Sequence, residues 1–152
     1  MEITDVEAAI RAYLPDIIHM SLATSASDKP HVCQVHFAYD DDLNIYFRSK
    51  TASRHCQEIT NNPRVAGNIA TQHSVTDKPR CVSFEGMATH MDSEEERANV
   101  LKYFERAGAD ESALDSAKDP DGHHFYKIAV DTYYLFDARE SKPSRKYKLT
   151  WG

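Results

Sequence analysis

The strongest constraint on this chain is a series of β-favouring runs set close together, joined by turns too short to hold a helical crossover. Residues 17–24 are rich in apolar and β-favouring types, a polar turn over residues 25–30 follows, and residues 31–39 place Val32, Cys33, Val35 and Phe37 at apolar positions. The acidic turn Asp40-Asp41-Asp42 then leads into residues 43–48, where Leu43, Ile45 and Phe47 alternate with polar or amphipathic neighbours. Parallel strands need a connection of about a dozen residues or more, so these three runs predict an antiparallel meander. Residues 64–71, 79–90, 123–130 and 132–137 read as further strands, with Gly86 a bulge or a point of close packing. Consecutive strands with short turns favour an antiparallel barrel over a βαβ sheet.

Helices fall around these strands. Thr4-Asp5-Val6-Glu7 reads as a capping box, and Val6, Ile10 and Leu14 recur at helical spacing until Pro15. Roughly two turns of helix begin near Ser53 and end at Asn61-Asn62-Pro63. Ser93-Glu94-Glu95-Glu96 is a second capping box, opening a helix with Val100, Leu101 and Phe104 on one face and Gly108 at its end. Residues 110–118 predict one more short helix, and residues 138–152 remain as a basic tail. The expectation is a mostly β, α+β fold with peripheral helices.

Composition narrows the class. A chain of 152 residues with 41% hydrophobic and 28% charged residues fits one globular domain spanning 1–152. No run of about 18 apolar residues occurs, and Met1-Glu2-Ile3-Thr4-Asp5 has neither the basic nor the apolar part of a leader, so a cytoplasmic protein without a membrane span is expected. Cys33, Cys56 and Cys81 are odd in number and lack a Cys-x-x-Cys pair, which predicts reduced thiols. The net charge of -6 resides in residues 91–121, where ten acids meet four bases, 4 − 10 = −6. The basic patches at residues 48–55 and 139–148 are large enough for one phosphate group and too small for duplex nucleic acid. His19 and His90 read as packed or edge histidines, and the adjacent His123 and His124 point to opposite faces of a strand, so no metal site is predicted.

The segment richest in chemistry lies between the strand ending at Arg48 and the helix near Ser53. It carries Ser49, Lys50, Thr51 and Ser53, then Arg54 and His55. A helix N-terminus offers unpaired amides and a positive dipole end, and hydroxyls with a guanidinium complete a cage for a phosphate. The alternative is that Ser53 or Thr51 caps the helix and the bases form a solvated face.

Ser53-Arg54-His55 followed by Glu58-Ile59, Asn62-Pro63 and Val65-Ala66 resembles the Ser-Arg-Lys … Leu … Asn-Pro … Val-Ala run of the pyridoxamine 5'-phosphate oxidase-like proteins. Lys29-Pro30-His31-Val32, Val35-His36-Phe37 and Ile45-Tyr46-Phe47 are similar to that family's upstream strands, and Val82-Ser83-Phe84-Glu85-Gly86 to its Val-x-x-Glu-Gly strand. The ordered set spans residues 17 to about 90.

The resemblance implies an antiparallel split β-barrel, a homodimer, with FMN in a groove between subunits. It implies Ser49, Lys50, Ser53, Arg54 and His55 around the FMN phosphate, with Arg48 and Thr51 beside them. Val35, His36 and Phe37 are implied at the isoalloxazine ring, and Cys81 where the oxidase has a flavin-touching glutamine. His55 replaces the family's common lysine. The oxidase's C-terminal arginine and tryptophan signature is not recognisable in residues 144–152, which speaks against a vitamin B6 oxidase. The terminal aromatics Tyr147 and Trp151 either trail free or cover a flavin of the partner subunit. The expected function is an FMN-dependent oxidoreductase acting on a small molecule. A deazaflavin-dependent reductase on the same barrel and a non-catalytic flavin- or haem-binding protein are the alternatives.

Overall fold

The computed structural model describes residues 5–139 and 146–151. Helix α1 (Val6–Tyr13) is followed by a 3₁₀ turn and strands β1 (His19–Ala26), β2 (Lys29–Tyr39) and β3 (Ile45–Lys50). Then come α2 (Arg54–Asn61), β4 (Arg64–Ala70), β5 (Arg80–His90), α3 (Glu94–Phe104), α4 (Ser112–Lys118), β6 (His123–Asp137) and β7 (Lys146–Thr150). The strands lie in the order β3-β2-β1-β4-β5-β6-β7, and β3 also pairs with β6, which closes the first six into an antiparallel barrel. Among the described residues no helix is long and apolar enough to cross a membrane.

The barrel is split for a reason visible in its register. β1 and β2 are joined by a two-residue turn at Ser27 and Asp28, both at positive φ, and pair over eight residues from Ala26↔Lys29 to His19↔His36. β2 and β3, by contrast, pair only over Phe37↔Phe47, Ala38↔Tyr46 and Tyr39↔Ile45. Beyond Phe47, β3 continues along β6 as far as Lys50↔His123, while residues 29–36 of β2 follow β1. The two strands part, and a cleft opens between them.

Two apolar clusters hold this frame. The barrel interior is filled by Leu22, Phe37, Phe47, Phe84 and Tyr133, each at most 1% exposed. Burying one such side chain contributes about 1.5–3 kcal/mol. The hydroxyl of Tyr133 donates to the Leu43 carbonyl at 2.6 Å, and burial pushes its pKa well up. Outside the barrel, α3 and α4 cover Tyr46 and Phe125 with Leu101, Phe104, Ala113 and Ala117. Phe104 meets Phe125 edge-on at 5.3 Å.

The structure corrects several expectations. The first helix is capped by Asp5, whose carboxylate accepts from the Ala8 amide at 3.0 Å, and the Thr4 cap lies outside the described residues. Ser49 and Lys50 belong to β3 rather than to a loop, because β6 supplies them with a ladder partner. Residues 123–137 form one strand instead of two: the register shifts by one residue opposite Glu85 and Gly86, so Asp131 bulges without breaking the ladder. Gly86 is also a close contact, since a Cβ there would lie 2.5 Å from the Ala129 carbonyl oxygen. The basic tail is not free where it is described, because Lys146–Thr150 adds an edge strand to β6. Its residues 140–145 and 152 lie outside the described set.

Candidate functional site

The cleft between β2 and β3 encloses about 710 Å³, within the range of roughly 300–1,000 Å³ common for cofactor pockets. One wall is β2 at Gln34, Val35 and His36, with His19 beside them. The opposite wall is the end of β3 at Arg48, Ser49 and Lys50, with His123. The start of α2 contributes Ser53 and His55, and the connection from α3 to α4 contributes Phe104, Ala107, Gly108 and Ala109.

Alternation along β3 sorts its side chains. Arg48 and Lys50 share one face with Tyr46, whereas Ser49 turns to the other and is buried. Arg48 is half buried, its guanidinium 5.5 Å from the centre of the Phe125 ring. Its Nε is buried and meets no acceptor among the described residues. A buried donor on a charged group without a partner costs about 1–3 kcal/mol. Burial lowers the pKa of Arg48, partly offset by Asp110; arginine stays charged in proteins regardless.

Around the start of α2 a second set of groups meets. His55 Nε2 lies 2.8 Å from Ser49 Oγ and 3.3 Å from Ser53 Oγ. Ser53 occupies the N-cap position, but its hydroxyl donates to the Lys50 carbonyl at 2.7 Å and makes no bond to the helix amides. The reading of Ser53 as a side-chain cap therefore fails, and the first-turn amides of α2 keep their capacity to bind an anion. Burial holds His55 below the usual histidine range, with His31 adding to the effect. His55 is thus a neutral hydrogen-bonding group at neutral pH.

The cleft's other wall is aromatic and titratable. His19 and His36 are register partners, with ring centres 4.3 Å apart. Burial lowers the pKa of His36, and His19 lowers it further. Across the cleft, on the β3 wall, the pKa of His123 is lowered by burial and by the nearby Arg48 and Lys50.

Of the residues singled out from sequence, Val35, His36, Arg48, Ser49, Lys50, Ser53 and His55 come together at this cleft. Four lie outside its lining. Phe37 is fully buried beneath the Arg106 guanidinium, 5.0 Å from its ring centre. Thr51 reaches the Pro120 carbonyl at 3.5 Å. Arg54 pairs with Glu58 at 3.3 Å, one turn along its own helix. Cys81 sits in β5 opposite Phe136. Sequence reasoning missed His19, Gln34, Phe104, residues 107–109 and His123. His19 and His123 become visible once the strand registers are known, because they pair with His36 and Lys50. The α3–α4 contribution has no local signal beyond Gly108, whose φ of 87° ends the helical run.

A six-stranded antiparallel barrel split beside a basic, hydroxyl-lined cleft defines a split-barrel protein. The model of the pyridoxamine 5'-phosphate oxidase family matches residues 6–137, and the chain belongs to that family. Solved structures agree on the fold. A conserved hypothetical protein from Mycobacterium tuberculosis superposes with a TM-score of 0.74 at 23% identity, over 91% of this chain and 88% of its own. General Stress Protein 26 from Bacillus anthracis gives a TM-score of 0.65 at 19% identity, over 95% and 98%. A heme binding protein from Mycobacterium smegmatis gives 0.68 at 15%, over 88% and 53%. No curated protein matches the chain.

Proposed function

We propose that this protein binds FMN in the cleft between β2 and β3 and works as a flavin-dependent oxidoreductase on a small molecule. The observation that carries the reading is the buried Arg48 Nε without a partner, set in the same cleft as Lys50, Ser49, Ser53 and His55. These groups suit a phosphate: two fixed positive charges, two hydroxyls and the amides at the start of α2. Residues 34–36 of β2, freed from β3, offer backbone groups to the edge of a flat ring. FMN supplies the hydride or electron transfer, and the protein's part is to anchor the phosphate, position the ring and admit substrate to one face.

Homodimerisation is part of the proposal. The cleft is open on one side, and Val32 stands 63% exposed on β2 close by, so a second copy suits as its cover. A haem reading has one observation in its favour, the His19–His36 pair in the cleft, which offers imidazoles to an axial position. An absorbance spectrum of the purified protein, with mass identification of what it releases, decides among these. FMN gives two broad bands and the mass of the phosphorylated flavin, a deazaflavin gives a single band between them, and haem gives an intense Soret band. A colourless protein that takes up no FMN overturns the proposal.

A further inference from the structure

The fold brings together three metal-ligating side chains that sequence spacing does not connect. His31 and Cys33 are two apart on β2, so both point to the same face, and His55 comes from the first turn of α2, which packs over that face. One ligand atom of each lies within 4.8 Å of the others, and all three residues are partly buried. Among the described residues no other group of three histidine, cysteine or carboxylate side chains meets so closely. We propose that His31, Cys33 and His55 form a site for a thiophilic divalent cation of the zinc type, with one coordination position left open.

The ligand chemistry fits. Thiolate and imidazole are each common zinc ligands, with bonds of about 2.3 Å to sulfur and 2.0–2.1 Å to nitrogen. Tetrahedral ligands at those lengths stand roughly 3.3–3.6 Å apart, so the cluster closes on a cation by side-chain rotation of little more than an ångström. Three protein ligands with an open fourth place are the arrangement of zinc sites that take up water or an anion. His55 also lines the cleft, which sets the cluster at its edge.

The surroundings support the imidazoles. Thr24 is the register partner of His31, and its hydroxyl donates at 2.8 Å to the buried carboxylate of Glu58, one turn along α2 from His55. Glu58 is close enough to both histidines to interact with each electrostatically. A carboxylate beside metal-binding imidazoles raises their basicity and offsets cationic charge. His55 is shared with the proposed anion cage, whereas His31 and Cys33 have no part in it.

The test is cobalt(II) titration of the chelator-treated full chain, FMN-free and FMN-saturated, followed by zinc(II). The expected result is one equivalent of cobalt with a thiolate-to-cobalt charge-transfer band and the visible bands of four-coordinate cobalt, displaced by zinc. Cys33→Ser removes the charge-transfer band, and His31→Asn weakens binding at least tenfold, both with an unchanged circular dichroism spectrum. Alkylation of the unaltered protein with peptide mapping needs no variant: zinc protects Cys33, and a chelator restores its labelling. Absence of the band, its survival in Cys33→Ser, or Cys33 labelling that zinc leaves unaltered overturns the site. The FMN-free titration and the Cys33 readouts report on the metal site alone, so they fail or succeed separately from FMN binding.

Discussion

The guanidinium of Arg48 lies 5.5 Å from the centre of the Phe125 ring, and that contact holds a cation at the cleft while its Nε goes unanswered. The neighbouring arginine of the same segment is used differently. Arg54 spends its charge on Glu58, whose carboxyl is held below the usual range first by the Thr24 hydroxyl and then by Arg54. Of two arginines six positions apart, one is tied to its own helix and the other lines the cleft, and that difference sets the first prediction.

Arg48→Ala weakens FMN binding by about ten- to a hundredfold, because a charge-assisted hydrogen bond is worth roughly 1.5–3 kcal/mol. Riboflavin, which lacks the phosphate, changes little. Arg54→Ala has the smaller effect on the FMN-to-riboflavin ratio. Fluorescence titration of both ligands against both variants checks this; equal losses for the two ligands in Arg48→Ala place the phosphate elsewhere.

Stability falls as the solution is acidified below about pH 6.5. His36, His55 and His123 all have folded pKa values below the ordinary 6.5, so the unfolded chain binds protons more readily in this window. Their contribution is complete above the unfolded value and is lost as pH drops toward the folded ones. The thermal midpoint of the FMN-free protein, followed from pH 8 to 5, is expected to decline over the lower half, and His55→Gln to flatten the decline. A midpoint that rises on acidification contradicts the assignment.

Arg106 is a structural clamp next to the cleft. It donates to the Phe37 carbonyl at 2.9 Å and the Leu14 carbonyl at 3.0 Å, and also to Ile17, while lying over the rings of Phe37 and Tyr39. Arg106→Met leaves these carbonyls unanswered and is expected to cost roughly 3 kcal/mol in chemical unfolding. Residues 107–109 line the cleft, so FMN release should also quicken in stopped-flow measurement.

Gly86→Ala destabilises by about 1–3 kcal/mol or more, since its Cβ would meet backbone at Ala129 that the β5–β6 ladder holds in place. The denaturation midpoint reports the loss. A midpoint within error of the unaltered protein shows that the bulge relaxes freely.

Light scattering of the FMN-loaded protein is expected to give about twice the 17.3 kDa chain mass. A monomer that still retains FMN removes the second subunit from the proposed site.

Sequence by itself determined most of the segments that become strands and helices, because alternation, caps and turn residues act within a few residues of one another. Ser93 accepting from the Glu96 amide and the apolar face of Val100, Leu101 and Phe104 are such local facts. So was the concentration of hydroxyls and bases between β3 and α2. What only the tertiary structure decided are the encounters between distant segments. Nothing near Arg48 signals that its partners are Phe125 and the α3–α4 connection, and nothing near Cys33 signals His55. Continuity across the bulge at Asp131 and the pairing of β7 depend on β5 and β6 ladders assembled from remote pieces. The split itself is a register fact: three paired residues between β2 and β3, then separate partners, a result that no single strand's pattern encodes.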